Sequence, residues 1–309
     1  MNEKISALIS NIEKSIIGKT DVITLVITAL LCKGHILIED VPGVGKTKLV
    51  SALAKSVDGK FSRIQLTPDI MPSDIVGFSM INPQSKEFEY RPGAAICNFL
   101  LADEINRASP KAQSALLEVM EEQQISLDSK TIKLPSPFMT LATQNPVETY
   151  GTYHLPEAQM DRFLMKLSIG YPSYDDEMKI IDKNDSSDDI NSLTAVLSLD
   201  DITKLQESAS QVRINNMVRD FIIRIITATR NSELVKLGVS PRGSIALTKA
   251  SKAYAFICGR DFVTPDDIKR LSVPVLSHRI MLSPKGKSVF STSERIIAEI
   301  VNTQSVPTL

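Results

Sequence analysis

The chain has no tryptophan, only 5% aromatic residues, three cysteines and three histidines among its 309 residues. Each scarcity removes a class of function. Binding single-stranded nucleic acid calls for aromatic side chains interleaved with lysine and arginine, and no such tract occurs. The 35 basic and 36 acidic residues nearly cancel, leaving a net charge of −1 and a pI near 6.4, so no protein-wide basic surface is on offer. Cys32, Cys97 and Cys258 stand far apart in apolar surroundings without metal-ligand spacing, and read as buried free thiols in a reducing cytoplasm. His35, His154 and His278 are equally scattered, which argues against a metal cluster. The longest apolar stretch, residues 22–32, is interrupted by Thr24 and Thr28 and is far short of a membrane span. Met1-Asn2-Glu3-Lys4 opens an amphipathic helix rather than a signal peptide.

What is present is an ordinary globular composition, 43% hydrophobic and 23% charged, in a chain long enough for a large core and two domains. Ile5, Leu8, Ile9, Ile12 and Ile16 share one helical face, and a second helix is expected over residues 19–33. Apolar strands are expected near residues 35–39, 63–66, 97–102, 138–142 and 163–167, with helices at 46–57 and 110–122 between some of them. That alternation predicts a parallel sheet covered on both faces. Two segments break the rhythm and read as hairpins, one around Asn82-Pro83-Gln84-Ser85 and one around Asp128-Ser129-Lys130. Composition shifts after Tyr171-Pro172: residues 182–191 are acidic and serine-rich, a linker or exposed loop. From Leu199 onward the signals are helical only, at 199–209, 215–230, 240–258 and 264–278, the last opened by the cap Thr264-Pro265-Asp266-Asp267. The expected division is an α/β domain over residues 1–171, a linker over 172–198 and an all-α domain over 199–309.

Val41-Pro42-Gly43-Val44-Gly45-Lys46-Thr47 sits between the first strand and the helix that begins near Lys48. Strand, glycine-rich turn, Lys-Thr and helix together make a phosphate-binding loop. Glycines let successive backbone N–H groups converge on an anion, and the helix N-terminus adds its dipole. Lys46 is expected on the β- and γ-phosphates and the Thr47 hydroxyl on Mg²⁺. Asp40 occupies the place where the general pattern has its first glycine, and would make the strand exit less permissive if positive φ were needed there. A second apolar strand ends in Asp103-Glu104, carboxylates at the carboxyl end of a parallel strand where ligands bind. Asp103 fits Mg²⁺ binding, directly or through water, and Glu104 fits the general base that polarises the attacking water. Asn145, ahead of Pro146 at the end of the next strand, fits an amide set between the γ-phosphate and that water.

These motifs, in this order, resemble AAA+ ATPases and more closely the MoxR family. The matching residues are Val41 to Thr47 for Walker A, Leu100 to Glu104 for Walker B and Asn145 for sensor 1. Asp103-Glu104-Ile105-Asn106-Arg107-Ala108, the stretch from Leu155 to Phe163, and Val239-Ser240-Pro241-Arg242-Gly243 look especially MoxR-like. The resemblance implies a P-loop NTPase core with a parallel five-stranded sheet in the order 5-1-4-3-2, followed by an all-α lid. It implies that Arg162 is an arginine finger reaching a neighbouring subunit's γ-phosphate and that Arg242 is sensor 2. Ile16-Ile17-Gly18 is similar to the segment that packs on adenine, and the two hairpins to a helix-2 insert and a pre-sensor-1 hairpin. From the residues alone, Asp161-Arg162 reads equally well as a surface ion pair and Arg242 as a helix-terminal charge. His278-Arg279 reads as structural.

The function expected from the resemblance is Mg²⁺-dependent ATP hydrolysis in a cytoplasmic homo-oligomeric ring, a hexamer. The ATP-binding loop of Pro42, Gly43, Val44, Gly45, Lys46, Thr47 and Lys48 would act with Asp103, and Ile17 and Gly18 would flank the base. The work done would be chaperone-like remodelling or maturation of protein partners that carry a von Willebrand factor A domain. The rival from another class is a nucleic-acid motor or loader of the helix-2-insert group. Against it stand the balanced charge and a second hairpin offering only Lys130 and Lys133. A third reading, a binding module with a structural nucleotide, sits poorly with Glu104, since a dead site has no need of a base.

Overall fold

The computed structural model describes residues 2–127, 130–146, 153, 155–184 and 192–307. His154, the turn residues Asp128 and Ser129, and most of the acidic segment (185–191) lie outside the described residues. In chain order the first part holds α1 (Glu3–Glu13), α2 (Thr20–Leu31), β1 (Ile36–Glu39), α3 (Lys46–Ser56), β2 (Phe61–Gln65), α4 (Pro72–Val76), β3 (Gly77–Ile81) and β4 (Phe88–Pro92). It continues with β5 (Phe99–Asp103), α5 (Pro110–Glu122), β6 (Gln124–Leu127), β7 (Lys130–Lys133), β8 (Met139–Gln144), α6 (Glu157–Met160) and β9 (Met165–Leu167).

Strands β2, β5, β8, β1 and β9 hydrogen-bond in that order, all parallel. Numbered along the chain, this is the expected 5-1-4-3-2 sheet. Every residue of β5 is buried, and so are Ile36, Leu37 and Ile38 of β1. Helices cover both faces, which is why these strands read as unbroken apolar runs rather than as an alternation. The two hairpins are present, β3 with β4 and β6 with β7, both antiparallel and outside the main sheet.

The remainder holds α7 (Tyr174–Asn184), α8 (Leu199–Ser210), α9 (Asn216–Asn231), β10 (Val235–Leu237), α10 (Pro241–Ile257), α11 (Pro265–Leu276), β11 (Met281–Leu282), α12 (Pro284–Phe290) and α13 (Ser293–Thr303). Two expectations need amendment here. Helix α7 runs through the stretch read as linker. The helical region also carries an antiparallel ribbon, β10 with β11, whose strands are too short to impose a period on the sequence. The cap read at Thr264 is a full capping box, with Thr264 and Asp267 exchanging side-chain to backbone bonds.

One apolar core joins the two regions: Ile23, Ile27 and Leu30 of α2 belong to the same buried cluster as Phe221, Leu247 and Leu271. Arg279 fastens the seam, as its structural reading expects. Its Nε meets Asp161 at 2.7 Å, and its Nη2 donates to the Phe163 carbonyl at 2.6 Å. Burial lowers its pKa to about 10, with Asp161 opposing that shift. Removing either partner would strand a buried charge.

Candidate active site

The turn after β1 enters α3 through Gly43 at φ +86° and Gly45 at φ +91°, the left-handed region that a side chain resists. No atom lies within 4 Å of where a Cβ would stand on either residue. The turn thus lines an open concavity at a helix N-terminus, the physical setting for cradling an anion. Lys46 folds back so that its Nζ donates to the Asp40 carbonyl at 2.6 Å. Burial lowers its pKa, and the carboxylates of Asp40, Asp103 and Glu104 push the other way.

Asp40 does not have positive φ. It is buried, and its carboxylate is a bracket: Oδ2 accepts from Ile169 N at 2.6 Å, Gly170 N at 2.7 Å and Ser168 Oγ at 3.0 Å, while Oδ1 accepts from Val41 N at 2.9 Å. The side chain that departs from the general pattern ties the phosphate loop to the exit of β9.

Asp103 closes β5 and shares the concavity. Arg63 Nε donates to its Oδ2 at 2.6 Å, and Thr143 Oγ1 to its Oδ1 at 3.2 Å. Glu104 leaves the strand in a left-handed conformation, φ 58° and ψ 52°, with its N–H on Thr143 Oγ1 at 2.9 Å. A non-glycine residue held there is strained and over-determined by its surroundings. Its carboxylate accepts from Gln65 Nε2 at 2.8 Å and meets Arg107 Nε at 3.2 Å. Asn145, buried just beyond β8, completes the wall. Pro42, Gly43, Gly45, Lys46, Thr47 and Lys48 line one cavity of about 390 Å³ together with Asp103, Glu104 and Asn145. Arg63, Gln65 and Thr143 line it too. Sequence reasoning missed these three, although Arg63 and Gln65 stand two apart on one face of β2 beside Asp103.

Ile17, Gly18 and Val44 are not in that lining. Val44 packs on the core. Gly18, at φ +71°, lies under α7, where a Cβ would meet Asp176 Oδ2 at 2.1 Å. Lys19 Nζ donates to the Tyr171 carbonyl at 2.8 Å in the same corner.

Arg162 and Arg242 come together, but elsewhere. Both bond Glu121: Arg162 Nε meets Oε2 at 3.1 Å, and Arg242 Nη2 donates to Oε1. They line a cavity of about 230 Å³ with Gly34, His35 and Arg279. Gly34 and His35 lie just before β1, whereas Asp40 and the phosphate loop lie just after it. At about 3.3 Å per strand residue, His35 and Asp40 are about 16 Å apart along the sheet. The arginines thus occupy the amino ends of the strands and the phosphate loop the carboxyl ends. His35 is buried there as a neutral ring: Nδ1 accepts from Thr140 N at 3.0 Å and Nε2 donates to the Met120 carbonyl at 2.9 Å. Burial lowers its pKa to about 4, against the weaker effect of that carbonyl.

Among the described residues no group of three or more His, Cys, Asp or Glu could hold a metal ion, and no helix is long and apolar enough to cross a membrane. Residues 35–165 match the model of the ATPase family associated with various cellular activities (AAA), and residues 227–300 match the AAA lid domain. The chain is 50% identical over 299 residues to YeaC of Bacillus subtilis, covering 97% of this chain and 93% of that one. It is 40% identical over 308 residues to Chaperone MoxR1 of Mycobacterium tuberculosis, covering 97% and 81%. A solved structure of a candidate ATPase from Cytophaga hutchinsonii superposes with a TM-score of 0.92 at 36% identity, covering 99% of this chain and 95% of that one. The chain belongs to the MoxR family of AAA+ ATPases.

Proposed function

We propose that this MoxR-family ATPase hydrolyses Mg²⁺-bound ATP at the junctions of a homo-oligomeric ring, a hexamer, and spends the cycle on remodelling protein partners. The observation that carries the reading is the convergence of Lys46, Thr47, Asp103, Glu104 and Asn145, from three separate loops, on one cavity at the carboxyl ends of β1, β5 and β8. Loop amides from Gly43 to Thr47 and the Lys46 ammonium take the phosphates. The donors that would hold Mg²⁺ are hard oxygens, the Thr47 hydroxyl and the Asp103 carboxylate, with phosphate oxygens completing the set. A divalent ion held there would supply positive charge against the β- and γ-phosphates. Glu104 takes the proton of the attacking water and Asn145 holds that water in line. Adenine packs toward Ile17 and Gly18.

Arg162 and Arg242 act on the site of the next copy. Their place at the far end of the sheet from their own phosphate loop favours this over action in cis. A guanidinium supplied across an interface stabilises charge on the transferring phosphoryl group and makes turnover depend on assembly. A face bearing the arginines against a face bearing the phosphate site is a head-to-tail contact, which closes into a ring. Residues 1–171 would form the nucleotide-binding unit and 199–309 the lid, joined through 172–198. A chaperone-like role follows the naming of the mycobacterial relative. A partner with a von Willebrand factor A domain and a cytoplasmic setting, which suits three unpaired thiols, complete the reading.

Mixing Arg162→Ala with Lys46→Ala, each inactive alone, tests it. In mixed rings the junctions between an intact phosphate loop and an intact Arg162 regain turnover. No recovery in rings proven mixed by native mass spectrometry overturns the trans assignment.

A further inference from the structure

Among the described residues, helix α7 has almost no support from its own chain. From Tyr174 to Asp182 every residue but Asp176 is exposed. Tyr174, Met178 and Ile181, spaced to share one face, are 80%, 45% and 60% exposed. The helix is also acidic: Asp175, Asp176, Glu177 and Asp182 outweigh Lys179 over that stretch. An acidic helix is repelled by anionic lipid, so its apolar face is not built for a membrane surface. Its position is fixed by the nucleotide end. The chain enters it from Ile169 and Gly170, which bond Asp40, and Asp176 closes over Gly18.

At the arginine end lies the complement. The end of α2 with α8, α9 and α10 encloses a groove of about 860 Å³. Its floor is apolar, with Leu31, Ile222, Ile223 and Ile245. Its polar lining includes Lys33, Arg219, Lys249 and Lys252 and no carboxylate. Ile223 and Ile245, both more than half exposed, offer apolar surface with nothing on it. The groove runs into the cavity of Arg162 and Arg242, sharing Cys32, Lys33, Ile245 and Lys249 with it.

We propose that α7 of one copy docks in this groove of the next copy, its acids against the groove's cations and Tyr174, Met178 and Ile181 on the apolar floor. The inference rests on the trans placement of Arg162 and adds a second contact to that interface. The two features flank their respective ends in matching order: arginines then groove on one copy, nucleotide site then α7 on the other. Docking would couple the nucleotide to the interface. α7 hangs from the segment bonded to Asp40, so a shift of the phosphate loop moves the helix that the neighbour grips.

The test uses full-length chains, one carrying Ile181→Cys and the other Ile223→Cys, mixed with ATP and treated with a short bifunctional maleimide. The expected result is a covalent dimer at least fivefold above either variant alone, where Cys32, Cys97 and Cys258 set the background. The triple change Asp175→Lys, Glu177→Lys and Asp182→Lys should raise the protein concentration for half-assembly about tenfold, and less at high salt. Cross-links confined within the Ile181→Cys, Ile223→Cys double variant as a monomer would mean that α7 folds onto its own groove, and would overturn the proposal. So would the absence of cross-linked dimer in rings that still assemble and still show rescue between Arg162→Ala and Lys46→Ala, in which case the trans arginine stands alone. Loss of both assembly and rescue would remove the ring reading itself.

Discussion

The two ends of the central sheet are built on different terms. At the carboxyl ends of the strands, the phosphate concavity is made of backbone amides and side chains locked by their own neighbours. Asp103 is fixed by Arg63 and Thr143, Glu104 by Gln65, Arg107 and Thr143, and the loop by Asp40. At the amino ends, two arginines share one carboxylate, Glu121, and the groove beside them is lined by Lys33, Arg219, Lys249 and Lys252 and by no carboxylate. One end is finished as a binding site within a single chain. The other sets its two arginines on the single carboxylate of Glu121, beside a groove whose lining carries no carboxylate. If the arginines act across an interface as proposed, such an enzyme binds nucleotide alone and turns it over in company. Its assembly state can therefore be read from kinetics.

The largest effect should come from the finished end. Glu104→Gln keeps the shape of the side chain but cannot accept the water's proton. Steady-state turnover should fall about 10²- to 10⁴-fold, with affinity for a fluorescent ATP analogue within about twofold of the parent. Because the base acts on its own bound nucleotide, mixing with Lys46→Ala should restore nothing, unlike Arg162→Ala. Recovery in that mixture would break the division between the two ends.

Acid should single out the arginine end. His35, before β1, and His278, bonded to the Phe163 carbonyl before β9, are both buried there. The His35 pKa falls from 6.5 to about 4 on folding. The folded state therefore favours the neutral ring, and its contribution is complete above the unfolded value. It is lost as pH drops from 6.5 through 4, because the unfolded chain takes up the proton first. A shift of that size corresponds to about 3 kcal/mol. Urea unfolding across this range should lose stability, and His35→Gln should flatten the slope relative to the parent, leaving the share due to His278 and to the carboxylates that titrate toward pH 4. An unchanged slope would mean that folding does not lower the His35 pKa.

The difference between the ends is also a difference in legibility. The phosphate loop, Asp103-Glu104 and Asn145 were readable because each is a contiguous motif at the end of an apolar strand, and local backbone chemistry dictates its residue types. The five strands were readable for the same reason. Arg63, Gln65 and Thr143 were not, because their roles arise only when β2, β5 and β8 lie side by side, and nothing in β2 alone marks two polar residues as facing a site. Arg162 and Arg242 are visible as family positions, but their meeting on Glu121 joins the turn before β9 with α10 and α5 and leaves no trace in spacing. Helix α7 reads as linker in the sequence because its acids resemble the acidic, serine-rich segment that follows it. Helices α12 and α13 went unread at the end of the chain.

Strand β9 connects the two ends, with Arg162 shortly before it and the backbone bonded by Asp40 after it. Asp40→Gly would restore the commoner loop pattern while leaving the N–H groups of Ile169 and Gly170 without their acceptor. Buried donors left unpaired cost about 1–3 kcal/mol, so the variant should unfold at lower urea while still binding ATP. If stability were unchanged, water would be replacing the carboxylate and the link between the ends would be looser than the bond lengths imply.

The smallest effect expected is at Gln65, and its direction carries the information. Gln65 Nε2 holds the Glu104 carboxylate at 2.8 Å across an exposed contact. That neutral donor fixes where the carboxylate points. That direction is toward β2. Removing the amide by Gln65→Ala leaves Glu104 with Arg107 alone and frees it to turn to the water. One such hydrogen bond is worth about 1 kcal/mol net, so unstimulated turnover should rise about two- to fivefold, with ATP affinity unaltered. Arg162 should remain necessary in the variant, since the freed base still lacks the charge supplied from the neighbouring copy. A fall in turnover would mean that Gln65 holds Glu104 in its working position. Activity in Gln65→Ala that no longer needs Arg162 would show that the finished end can complete the reaction by itself, against the division of labour proposed for the two ends.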